Sequence, residues 1–319
     1  MMTHKPKRAR QRTTTSRYAS HRATIAAALT LVVAGVLSGC TYKSEESPTG
    51  NNAIESTIDA LTTNDNIVKI VPDPIKSRGT LIVGTSADYA PAEFVGSDGK
   101  TLEGFEIDLT RALARVMGLD ADIRNSTFDS IIPSVGTKFD AGISAFTINK
   151  ERMKQVNMVS LYDSGRAFGV AKGNPENVDP EHLCGHSVAV QTGSLHEEVM
   201  TEEAPHCGSD EKLTIQSYKN QTDASTAVVG RKADVMVADS PVVSYAVNQS
   251  QGRLDTVGTI VNRAPKSAIV AQNNQPLAEA IRAATQELID NGTMKTIMEA
   301  WANKGSEIPE AQINPRVSS

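Results

Sequence analysis

The stretch Phe139-Asp140-Ala141-Gly142-Ile143-Ser144-Ala145-Phe146-Thr147-Ile148-Asn149-Lys150-Glu151-Arg152 decides how this chain is read. Its first half, FDAGIS, is a short apolar run bounded by polar residues, which predicts a buried strand. Two hydroxyls, Ser144 and Thr147, follow its end, and then Arg152. Such a corner fits an ordinary strand-to-helix turn, with NKERMKQ as the helix. It also fits half of a carboxylate trap, because a guanidinium binds a carboxylate with two parallel hydrogen bonds.

Outward from this corner, strands and helices alternate. TLIVGTS, beginning at Thr80, reads as a strand. In GFEIDLTRALARVMG, Leu109, Ala112, Leu113, Val116 and Met117 fall on one helical face, and Gly118 ends the helix. ADIRNST reads as a strand and DSIIPSVG as a short helix. The pattern then restarts after the connection RAFGVAKGNPENVDP. The strands HSVAVQ, LTIQSY and ADVMVAD are followed by the helices SLHEEVMTEE, DASTAVVGR and SPVVSYAVNQ, respectively. KSAIVAQ reads as a strand returning to the first unit. It precedes two helices, QPLAEAIRAATQELIDNG and TMKTIMEAWANKG. Two α/β units in series, each with a mostly parallel sheet flanked by helices, are expected.

The ends of the chain read differently. Residues 1–39 carry seven basic residues and no acidic one, then the fifteen-residue apolar run ATIAAALTLVVAGVL, then Leu37-Ser38-Gly39-Cys40. This is a signal-peptide pattern, and the run is shorter than the roughly 20 residues of a membrane-spanning helix. Leu37-Ser38-Gly39-Cys40 resembles the lipobox of bacterial lipoproteins. That implies cleavage before Cys40 and an acyl anchor on it, holding the protein at the outer face of the cell membrane. Without residues 1–39 the chain keeps 25 basic and 37 acidic residues, a net charge of −12, which disfavours nucleic acid as a partner. TYKSEESPTGNN reads as a flexible tether, and the mixed segment from Ile54 to Gly79 gives no clear element. Cys184 and Cys207 are expected to form a disulfide, as suits an exported protein. The nearby His182, His186, His196 and His206 match no standard zinc spacing.

There is no GxSxG elbow, P-loop, GxGxxG or HExxH in the chain, and neither a catalytic set nor a cofactor is expected. In open α/β sheets ligands sit beyond the carboxyl ends of the strands. There this sequence places Ser86, Asp88 and Tyr89, then Phe128, then Ser144, Ala145, Thr147 and Arg152. The second unit adds Gly193, Ser194, Leu195 and Asp239. An arginine, aspartates, hydroxyls, helix-start N–H groups and two aromatics complement an α-amino acid. Each has a plainer reading. Ser194 with Glu197 fits a capping box, and Asp239 before Ser240-Pro241 fits a helix cap.

These motifs resemble the solute-binding proteins of bacterial ABC importers, the polar amino acid class known as family 3. GTSADYAPAEF, GFEIDLTRALARVMG, FDAGISAFTINKERMKQ, VAVQTGS and ADVMVADSP carry the likeness, which spans roughly Gly79 to Gly305. The resemblance implies a two-lobed periplasmic-binding-protein-like fold with two hinge strands and the ligand in the cleft. Lobe 1 would comprise 76–168 plus 265–306, and lobe 2 would comprise 169–264. Residues 40–75 would form a polar tether and N-terminal extension, and 307–319 a tail. It further implies that Tyr89 and Phe128 flank the ligand side chain, and that the Ser144-Ala145 backbone and Thr147 meet its ammonium and carboxylate. Arg152 would hold the carboxylate, Ser194-Leu195 would reach it from the other lobe, and Asp239 would take the ammonium. Partners would be an amino acid, permease subunits with their ATPase, and the membrane through the anchor, with the protein a monomer. Ser86 stands where several members carry an acid, and Gln191 where some carry a lysine, so the ligand side chain stays open. A dehydratase-like enzyme on the same scaffold, with Asp88 as its acid, and a sensory module are the alternatives.

Overall fold

One mixed sheet of eight strands, in the order β5-β1-β6-β11-β7-β10-β8-β9, organises the chain. The structure is a computed structural model and describes residues 51–317. The apolar leader and Cys40 lie outside the described residues. In one half of the sheet, β1 (Thr80–Thr85) pairs in parallel with β5 (Asp120–Asn125) and β6 (Ala141–Thr147). In the other half, β8 (Ser187–Gln191) pairs in parallel with β9 (Thr214–Tyr218) and β10 (Val235–Asp239). Parallel pairing needs a crossover element between strands. The helices α4 (Phe105–Val116), α7 (Leu195–Glu203) and α8 (Gln221–Val229) supply crossovers. Short parallel strands covered on both faces are apolar throughout, and every residue of β6 is buried.

Two long strands join the halves. β7 (Val156–Ala171) and β11 (Leu254–Ala271) run antiparallel to each other down the middle of the sheet. β11 also pairs with β6, while Arg166–Val170 of β7 pairs with β10. The ladder between β7 and β11 is irregular from Val257 to Ala264, between the two halves. Interrupted pairing at a crossing point is where a chain absorbs bending most easily. Of these two strands the residue pattern predicts only the last part of β11; it predicts none of β7, whose end, RAFGVA, reads as connection.

A small antiparallel sheet, β2 (Asp88–Tyr89), β3 (Glu93–Val95) and β4 (Leu102–Glu103), leads into α4. Gly104 caps that helix at φ 130°, where a Cβ would stand 2.2 Å from the Ala92 carbonyl oxygen. Only glycine fits such a junction. On α4, Phe105, Leu109, Ala112, Leu113 and Val116 are buried. They pack in the main core with α10 (Gln275–Asp290) and α11 (Thr293–Ala300).

Both ends of the described chain are more ordered than expected. Residues 51–75 are not a tether. α1 (Asn51–Asp59), α2 (Asp65–Ile70) and α3 (Asp73–Arg78) bury Ile54, Ile58, Ile67 and Ile75 in the main core. Each buried aliphatic side chain contributes about 1.5–3 kcal/mol, which outweighs the weak propensity of six-residue helices. Residues 307–317 are not a free tail either. They lie along the first part of β7, with bridges Tyr162↔Glu307 and Val159↔Ile313, and they bury Ile308 and Ala311. This segment covers a strand edge that β10 leaves open. Cys184 and Cys207 are bonded, with Cα atoms 5.4 Å apart, tying the approach to β8 to the turn after α7.

Candidate functional site

The carboxyl ends of β1, β6, β8 and β10 face one another across the middle of the sheet. Nine of the eleven expected residues meet there: Tyr89, Phe128, Ser144, Ala145, Thr147 and Arg152 from one half, and Ser194, Leu195 and Asp239 from the other. Gln191 and His196 join them. The enclosed volume is about 10 Å3, roughly room for one water. The two sides are therefore closed on each other.

Arg152 is placed by its own helix start. Asn149 caps α6 (Lys150–Met153), its side chain accepting the Arg152 N–H at 2.8 Å. The guanidinium turns back beneath β6. Its Nη1 donates to the Thr147 carbonyl at 2.9 Å and its Nη2 crosses the cleft to the Gly193 carbonyl at 3.1 Å. Phe128 and Phe146 stack 4.7 Å apart and hold their rings 5.7 and 5.8 Å from it. Among the described residues no carboxylate lies within salt-bridge distance of Arg152. Burial brings its pKa down to about 10, against the pull of Glu198 and Asp239. A buried guanidinium without an anion is costly, and an anionic group placed at this corner would offset that cost.

The opposite wall is the start of α7. Ser194 accepts the Glu197 N–H at 3.1 Å, and Glu197 Oε2 accepts the Gly193 N–H at 2.6 Å. The capping reading of Ser194 is thus correct, and it is compatible with a site. A capped helix start still presents the N–H groups of its first turn, here Leu195 and His196, towards an anion.

Asp239 is not a side-chain cap for α9 (Ser240–Gln249). Its Oδ1 receives Lys266 Nζ at 2.5 Å and lies 3.4 Å from His196 Nε2, and its Oδ2 accepts from the Tyr89 hydroxyl at 3.2 Å. Burial alone would raise this carboxyl. Lys266 and His196 more than reverse that and hold it well below the usual carboxylate range. Lys266 also donates to Thr147 Oγ1 at 2.6 Å, so it ties the two sides together. In the closed cleft, Asp239 is therefore engaged by the chain's own donors. Burial, helped by Lys266 and Arg166 and opposed by Asp239, lowers the His196 pKa, so the ring is neutral near pH 7.

Ser86 and Asp88 do not line the cleft. Asp88 faces the other way, taking the Ser86 hydroxyl at 2.8 Å, the Gln221 N–H at 2.9 Å and Gln191 Nε2 at 3.3 Å. It closes the rim between the halves. It is half-buried, and desolvation raises its pKa. The Ser144 hydroxyl is committed as well. It donates to Glu93 at 2.6 Å and accepts the Ser86 N–H at 3.0 Å. Lys266, His196, Glu93 and Glu106 were missed from sequence. Only Lys266 left a signal, as a lone cation opening the apolar run SAIVA.

Two α/β halves on a pair of crossing strands, closed over a cleft with an unpaired arginine, define a two-lobed solute-binding protein. Residues 81–304 match the family described as bacterial extracellular solute-binding proteins, family 3, and the chain belongs to it. The arginine-binding protein ArgT of Corynebacterium glutamicum is 36% identical over 253 residues, covering 78% of this chain and 82% of that protein. The L-cystine-binding protein TcyJ of Escherichia coli K12 is 29% identical, covering 71% of this chain and 84% of that one. Among solved structures, an ancestral arginine-binding protein bound to arginine superposes with a TM-score of 0.66 at 33% identity. It covers 70% of this chain and 98% of its own. An ancestral amino acid-binding protein, described as a precursor of cyclohexadienyl dehydratase, superposes at 0.65 and 32% identity, covering 72% of this chain and 98% of its own.

Proposed function

We propose that this protein captures a free α-amino acid in the cleft and hands it to the permease of an ABC importer. One observation carries the reading: the buried Arg152 guanidinium faces the start of α7 across the cleft with no carboxylate of its own. An α-carboxylate would lie between them, taking the donors that Gly193 now satisfies. The ammonium would share Asp239 with Lys266, while Tyr89 and Phe128 cover the side chain. Gln191 and His196, both buried, add polar contacts within the cleft. The cleft must open to admit a ligand, and the irregular crossing of β7 and β11 supplies the hinge.

The protein acts by binding, as its named relatives do. A catalytic acid would have to reach the ligand. Asp88 turns away from the cleft, and Glu93 stands behind Ser144. An acyl anchor on Cys40 would keep the protein beside its permease at the outer membrane face. The arginine and cystine specificities named for its relatives point to a polar or charged ligand.

A thermal-shift panel of the twenty L-amino acids on the chain lacking residues 1–40 tests this. A ligand at a hundred times its Kd stabilises by about 2.7 kcal/mol, so one or a few should stand out. A flat panel would sink the amino acid reading.

A further inference from the structure

Behind the Ser144–Ala145 peptide stand two carboxyl groups that capture does not touch. Glu93 on β3 and Glu106 in the first turn of α4 are both 0% exposed. Neither has a cation within salt-bridge distance among the described residues. Glu106 accepts twice, from the Ala145 N–H at 2.8 Å and from the Tyr162 hydroxyl at 2.9 Å. Both bonds favour its ionised form, and so does the dipole at the start of a twelve-residue helix. Glu93 accepts from Ser144 through Oε1, while its buried Oε2 has no donor. The two carboxyls converge behind one dipeptide, Glu93 on the Ser144 hydroxyl and Glu106 on the Ala145 N–H. Two ionised carboxylates so placed repel, whereas one proton shared between them turns repulsion into attraction.

The pair grips the peptide from behind. Ala145 sits at φ 47°, in the left-handed region that a residue with a side chain rarely adopts. Its N–H points to Glu106. In a planar trans peptide the Ser144 carbonyl then points the opposite way, and both residues line the cleft. We propose that Glu93 and Glu106 hold one proton between them, and that this proton keeps the Ser144 carbonyl turned to the ligand's ammonium. Both are then positioning residues for capture. The ligand half of this inference rests on the amino acid reading of the cleft.

The surroundings favour retaining the proton. Burial, and then the charge of Glu106, push Glu93 well above the ordinary carboxyl range. The other titratable groups facing the pair are Tyr89, Tyr162, Asp88 and Asp239, all of them acids. Lys266 is committed to Asp239 and Thr147. Loss of the proton sets two anions against each other and loosens the hold on Ser144 and Ala145.

Glu93→Gln mimics the protonated side chain, because its amide can donate to Glu106 and has no proton to lose. A carboxyl with a raised folded pKa contributes stability that is full below its unfolded pKa and is lost as pH rises through the folded value. In urea unfolding without ligand, wild type should therefore lose stability between about pH 5 and about pH 9 relative to Glu93→Gln, since buried glutamates titrate as high as roughly 8–9. Calorimetry with the stabilising member of the twenty-amino-acid panel should show wild-type affinity falling about tenfold per pH unit once the pair titrates, the slope of one linked proton. Glu93→Gln should hold its affinity over the same range. Parallel stability profiles overturn the shared proton. Divergent stability with parallel affinities overturns the positioning role. Divergent stability with no panel member bound at any pH overturns the amino acid reading instead, and with it the ligand half. Should Glu93→Gln fail to fold, the carboxylic-acid carbonyl band in infrared difference spectra of wild type reads the same proton. Its loss on the alkaline side supports the proposal, and its absence at every pH refutes it.

Discussion

Replacing Lys266 by methionine removes the cation from a fully enclosed ion pair. Lys266 and Asp239 side chains are 2% and 5% exposed, and their charged atoms stand 2.5 Å apart. Methionine keeps the length and bulk of the stem, so the change is chiefly one of charge. Breaking a buried pair by removing one partner costs about 3–5 kcal/mol, because the other charge is left in a poor solvent. For a domain of this size that lowers Tm by roughly 10 °C. Part of the loss should be recoverable with acid. Burial is the main reason His196 stays neutral, and Lys266 adds to it. With Lys266 gone, the pull of Asp239, 3.4 Å from Nε2, is less opposed and moves the His196 pKa up. A histidine with a raised folded pKa contributes stability that is full below its unfolded value, about 6.5, and is lost as pH rises through the folded one. The difference in urea stability between wild type and Lys266→Met should therefore be about 3–5 kcal/mol at pH 8 and clearly smaller at pH 5.5. A difference below about 1 kcal/mol at pH 8, or one equal at the two pH values, would refute the reasoning.

Two further outcomes follow from the fold. Cys184→Ser with Cys207→Ser should cost about 3 kcal/mol by freeing a 23-residue loop in the unfolded chain, measured by urea unfolding. Ile67→Ala should cost about 2–5 kcal/mol in the same assay, because Ile67 of α2 is 5% exposed within the main core. A loss under about 0.5 kcal/mol would mean that the N-terminal helices are dispensable.

The parts of this molecule that were legible in the sequence are those that local pattern controls. β6 and its arginine corner are set by one apolar run and one capping asparagine. The start of α7 is set by Ser194 and Glu197. What escaped depends on contacts between distant segments. β7 passes from one half of the sheet to the other with glycines at 165 and 169, and it shows no clean alternation because nearly all of it is buried. α2 and α3 are six residues each, too short to show a period, and they are helical because their isoleucines reach the core. The last segment is held by Ile308, Ala311 and bonds to β7, which no periodicity announces. At the site, Arg152 and Asp239 were readable at strand ends. The lysine that occupies Asp239 comes from a strand 27 residues further on. Glu93 and Glu106, in a loop and a first helical turn, carry no sequence signal of burial, yet both are fully buried.

Arg152 is proposed as the fixed jaw of an amino acid site. Calorimetric titration of the amino acid that stabilises the protein most, against wild type and Arg152→Ala, tests it most directly. Two charge-assisted hydrogen bonds to a carboxylate are worth about 3–6 kcal/mol together, so the variant should bind at least a hundredfold more weakly. Its own unfolding should stay close to that of wild type, since removing a buried unpaired cation offsets the lost packing on Phe128 and Phe146. Wild-type affinity in a folded Arg152→Ala protein would contradict the account.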